Sequence, residues 1–198
     1  MRSITLLAAV LLATGCATAH QTAHTGFHFQ GDIGIGGSRS SASQGGNDFK
    51  ISGTGGQGSV ALGGAVAPNL IIGGQVWGST NTDPSIEVNG QSAQTASNAS
   101  TALYGIGPMV KYYFMPINFF LAATPSFAKL ESSSDTGEGE TKWGPAIRLA
   151  AGKEWYVSQH WGLGVAGVLQ FSSNEEETSG GPTWSTIGGG VVFSASYN

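Results

Sequence analysis

IGPMVKYYF, Ile106–Phe114, is apolar or aromatic at every second position: Ile106, Pro108, Val110, Tyr112 and Phe114. The positions between them, Gly107, Met109, Lys111 and Tyr113, are small, flexible or polar. A period of two predicts a strand with two unlike faces. In a soluble sheet the greasy face lines a core; in a membrane barrel it meets lipid. Pro108 needs a separate account, because proline donates nothing to a ladder.

The bulk composition narrows the choice. Charged residues are 10% of the 198, against about 25% in an ordinary soluble domain, and the 32 glycines are about twice the usual share. No internal apolar run approaches the roughly 18 residues of a membrane-crossing helix. A net charge of −4 without a basic patch leaves no footprint for nucleic acid. The first residues read as a secretory signal: Arg2, an apolar run Ile4–Ala13, and an A-x-A site at Ala17-Thr18-Ala19. The predicted organisation is a signal peptide over 1–19, a short periplasmic segment over 20–25 and a barrel domain over 26–198. Ala13-Thr14-Gly15-Cys16 also resembles a lipobox, so Cys16 is a candidate lipidation site.

Eight strand-like segments follow, and their connections alternate. The links after the second, fourth and sixth are short turns. Those after the first, third, fifth and seventh read as long polar loops over 38–49, 79–100, 131–142 and 172–185. An even strand count with short turns on one side and long loops on the other predicts an all-β fold: an eight-stranded antiparallel up-and-down transmembrane β-barrel. Aromatics at both ends of the outward phase agree with membrane-interface girdles. Phe27, Phe29, Tyr112, Phe114, Phe119, Trp161 and Tyr197 stand on the short-turn side, and Tyr104, Trp143 and Phe171, with Phe127, on the other. Trp77 and Trp184 share the inward phase.

GIGPMVKYYF followed by FFLAATPSFA, and later GKEWYVSQHWGLGVAG, resemble the small OmpA/OmpX-type outer-membrane β-barrel domain. The ending GGGVVFSASYN, with Gly190, Phe193 and Tyr197 in spacing, is similar to that family's assembly signal. The family ends on an aromatic residue, whereas Asn198 follows here. The resemblance covers about residues 26 to 198. It implies a cell outer-membrane location in a Gram-negative bacterium and a partner in the barrel-assembly machinery.

A barrel of eight strands is about wide enough for its own side chains to fill. The inward phase carries a polar network of Gln30, Asp32, Gln75, Lys111, Arg148 and Gln170, with His28 beside it. A charge placed there needs a partner, so Asp32 is expected to pair with Arg148 or Lys111. HQTAHTGFH places His20, His24 and His28 four apart, a metal-binding interval on a helix. The pattern here is strand, so His20 and His24 read as a loose periplasmic start. GTGGQG, Gly53–Gly58, matches a dinucleotide fingerprint but no helix follows it. The acidic runs Asp135, Glu138, Glu140 and Glu175–Glu177 read as solvated loops.

These readings predict a barrel with a structural or surface-interaction role: membrane integrity, adhesion or ligand binding through its loops. No catalytic residue, metal or cofactor is expected. The expected partners are outer-membrane lipid, lipopolysaccharide and an extracellular ligand. The alternatives are a narrow passive pore, and a lipid-acyl-modifying enzyme, which would need a nucleophile and base within reach of each other.

Overall fold

The computed structural model describes residues 23–95, 99–134 and 137–198, with backbone alone over 93–95. The expected signal segment with its Cys16, His20, and Asp135 lie outside the described residues.

Alternating sequence becomes ten strands. In order they are β1 Phe27–Gln44, β2 Asn47–Ala67, β3 Leu70–Val88, β4 Gln91–Thr95, β5 Ser100–Phe114, β6 Phe119–Ser134, β7 Gly137–Glu140, β8 Gly144–Tyr156, β9 Trp161–Glu175 and β10 Thr183–Tyr197. Neighbours pair antiparallel, β10 returns to β1, and β2 also pairs with β3, so eight long strands close a ring. The two short strands, β4 and β7, extend β3 and β6 beyond it. Strand β9 shows the resulting radial order, alternating exposed and buried from Trp161 to Glu175 without a break.

The predicted long loops are corrected by this structure. Strands β1 and β2 stay paired up to Gln44 and Asn47, joined by Gly45–Gly46 with φ of 61° and 80°. Strand β3 runs to Asn89–Gly90, with φ of 51° and 75°, and returns as β4. Positive φ at both central residues defines the hairpin turn that Gly-Gly and Asn-Gly favour. The third loop is likewise a hairpin, β6 to β7, and the fourth shrinks to the span between Glu175 and Thr183. The polar composition that suggested loops belongs to strands continuing past the apolar belt. The short-turn side follows the expected layout, with Asn69 (φ 66°) and Asn118 (φ 55°) supplying left-handed positions.

A proline inside a ladder calls for a bulge or for a weakened patch of pairing, and the structure shows the weakened patch. The β5–β6 ladder keeps one register on both sides, Ile106 opposite Phe127 and Val110 opposite Ala123. That register sets Pro108 against Pro125, where pairing lapses. Neither residue has an N–H, so the two gaps coincide in one seam. The β6–β8 ladder passes Pro125 and Pro145 without a shift. The register shifts occur in β2–β3, at Ser52/Thr54 and Ala65/Ala67. Gly107 beside the seam has no room for a side chain, since a Cβ would lie 1.9 Å from the Pro125 carbonyl oxygen.

Candidate functional site

The inward phase of the ring builds a filled lumen. Arg148 on β8 and Asp32 on β1 meet there, Nη2 to Oδ1 at 3.0 Å. Ser59 donates to the second Asp32 oxygen, Gln75 donates to Ser59 at 2.8 Å, and Thr124 donates to Gln75 at 2.7 Å. Trp77, inward as its phase predicts, donates to Ser126 at 3.0 Å. Gln170 donates to Ser79 at 2.6 Å. The six residues named from the sequence therefore all sit in the lumen, but not in one network.

Lys111 belongs to a separate group and does not pair with Asp32. Its Nζ lies 2.6 Å from Glu154 Oε1, both side chains being 1% exposed, and it also donates to Gln30. Tyr113 and Ser196 donate to the same Glu154 carboxylate. Two cations thus face two anions, which is how charge survives away from water. Glu154 escaped the sequence reading although it shares the phase of Arg148, six residues earlier. The lumen is also less polar than expected: Ile71, Met109, Phe120, Ala166, Val168 and Val192 form an apolar cluster inside the ring. A void between the two charge pairs, lined by Gln30, Asp32, Lys111 and Arg148, gives the centre of a water molecule about 10 Å³. That admits about one water.

At the short-turn mouth the structure overturns the loose start expected at His24. Its side chain is fully buried. The Asn118 amide donates to Glu154 O at 3.2 Å, which turns Asn118 Oδ1 toward His24. His24 Nε2–H donates to that oxygen at 2.7 Å; the Tyr156 hydroxyl lies 2.9 Å from Nδ1, which is free to accept from it, and 3.0 Å from Nε2. Burial lowers the His24 pKa from its ordinary value; the Asn118 bond and the Glu154 charge oppose that in part. His28 Nδ1 lies 2.6 Å from Asn198 Oδ1, so the residue after the terminal aromatic also enters the plug.

The outer face carries the apolar phase. Ile33, Ile35, Ile106, Phe127, Leu163, Leu169 and Phe193 are all more than half exposed. The named aromatics Phe27, Phe29, Tyr104, Tyr112, Phe114, Phe119, Trp143, Trp161, Phe171 and Tyr197 stand outward at the two ends. Tyr104 meets Trp143 edge-on at 5.6 Å, and Trp161 meets Tyr197 at 5.4 Å. Trp161 and Phe171 bound the belt on β9. Ten residues at about 3.3 Å each and a tilt of about 40° rise roughly 25 Å, the height of a barrel's lipid-facing band. Gly190 and Phe193 of the assembly-signal pattern face opposite ways: Phe193 points out, and Gly190 packs against the Ile35 carbonyl.

The crystal structure of Neisserial surface protein A superposes with a TM-score of 0.62 and 16% identity, over 87% of this chain and 97% of that one. The chain has the fold of a small outer-membrane β-barrel. The outer membrane protein OprG from Pseudomonas aeruginosa also matches, with TM-score 0.46 and 13% identity, over 89% of this chain and 97% of that chain. No protein-family model and no curated protein matches. The likeness speaks to the fold alone.

Proposed function

We propose that this protein is an outer-membrane barrel with a closed lumen, whose work is structural or interactive. The observation that carries the reading is the apolar outer belt between two aromatic girdles, around an interior already occupied by its own side chains. Such a wall favours lipid outside and leaves no aqueous path inside. The strand extensions on the long-connection side would then stand in the extracellular medium and carry adhesion or ligand binding. Delivery would use the N-terminal secretory segment and the assembly pattern of Gly190, Phe193 and Tyr197. Lipopolysaccharide would surround the outer girdle of Tyr104, Trp143 and Phe171. The reading includes no catalytic step: His24 and His28 are buried and each is held by an asparagine side chain.

Two measurements test it. The folded protein should migrate differently on a gel before and after boiling; identical migration would count against a membrane barrel. In planar bilayers it should pass no resolvable current, while a steady conductance would favour a narrow pore.

A further inference from the structure

Residues 23–26 lie across the short-turn mouth of the ring. Gly26 O accepts from Ala65 N at 2.8 Å, His24 O accepts from Asn69 N at 3.2 Å, and His24 N donates to Asn69 Oδ1 at 2.9 Å. These bonds tie the segment to the β2–β3 turn. The imidazole then reaches the far wall, bonding Asn118 in the β5–β6 turn and Tyr156 at the end of β8. It also stacks on Tyr113 of β5, centroids 3.5 Å apart and planes 10° from parallel. One ring therefore fastens a short strap to β5, to the β5–β6 turn and to the end of β8.

That ring is satisfied when neutral, with one donor used and one acceptor used. A second proton on Nδ1 would turn the Tyr156 hydroxyl from donor to acceptor and leave a positive charge in a fully buried ring with no carboxylate bonded to it. The charged and titratable groups around the ring offer little compensation. Glu154 of β8 is already bonded by Lys111, Tyr113 and Ser196. Lys111 of β5 opposes a second cation, His28 of β1 is held by Asn198, and Tyr113 and Tyr156 are neutral phenols. We infer that residues 23–26 form a proton-operated latch, held over the mouth by neutral His24 and released by its imidazolium. Burial, which lowers the His24 pKa, agrees in direction.

The sign follows from linkage. The released imidazole has its ordinary pKa of about 6.5 and the strapped one a lower value. Latch strength is therefore full above about pH 6.5 and falls as the pH drops toward the strapped value. At pH 5 the closed-to-open ratio would fall by up to about thirty-fold.

The latch goes beyond the membrane reading: gel mobility tests the latter, and amide exchange tests the former. The full chain in detergent micelles is measured by NMR at pH 7.5 and pH 5, with rates corrected for intrinsic chemistry. Protection of the Ala65 amide should drop at pH 5, by up to about thirty-fold, while the Val168 amide in the barrel wall holds. His24→Gln, which keeps polar contacts but takes no proton, should abolish the drop. In case that variant fails to fold, the wild-type His24 ring shift is titrated alongside, and its midpoint should lie below about 6.5, within the pH span over which Ala65 protection falls. Equal Ala65 protection at both pH values, a parallel loss at Val168, a His24 midpoint at or above about 6.5, or an undiminished drop in His24→Gln would each overturn the latch.

Discussion

Lys111 and Glu154 are the most consequential residues in the lumen, because neither charge has an alternative solvent. Glu154→Gln leaves the buried ammonium without its counter-charge and should cost about 3–5 kcal/mol in urea-driven refolding. Adding Lys111→Met should recover most of that loss, since it removes the unpaired charge and a methionine suits a lumen already containing Met109 and Phe120. If the double variant is no better than the single, the coupling is absent. Much of this was legible residue by residue. Period two alone places Asp32, Lys111, Arg148 and Gln170 inward, and the need for partners links Asp32 to a cation. Glu154 was equally legible, since it shares the Arg148 phase, but Lys153 and Trp155 beside it make the segment look like a strand end. His24 was not legible: it precedes the alternating pattern, and only ring closure brings it to Asn118, 94 residues away.

At the scale of the element, the β5–β6 seam joins two strands that lose hydrogen bonds at the same level. Gly107 lets the Pro125 carbonyl oxygen settle against its Cα there. Gly107→Ala should therefore destabilise the barrel by about 1–3 kcal/mol in the same refolding assay. Gly31→Ala is the control, because a Cβ at Gly31 meets nothing within 4 Å. Equal effects at the two sites would mean that the seam is not tight. Strand identity was readable from alternation, whereas strand length was not. Beyond the belt both faces turn polar, the period fades, and only the turn dipeptides Gly45–Gly46 and Asn89–Gly90 mark where each hairpin ends.

For the whole molecule the deciding question is what touches the outer wall. Ile33 is 75% exposed and stands four residues above the Phe29 girdle. In a lipid bilayer, Ile33→Arg should cost about 2–4 kcal/mol on refolding, with the penalty shrinking toward the girdles. A wall facing water would tolerate the change almost freely, so a flat response would refute the lipid-facing belt. The strand extensions set a second dimension. Strand β2 has 21 residues, and about eleven suffice to cross a bilayer. The remaining ten or so would lift the hairpin tips roughly 25 Å above the belt. A bilayer decorated with short sugar chains would bury the ring from large molecules and leave those tips in view. An antibody raised against intact cells should therefore map to Gly45–Gly46 and Asn89–Gly90 far more often than to any residue of the wall beneath.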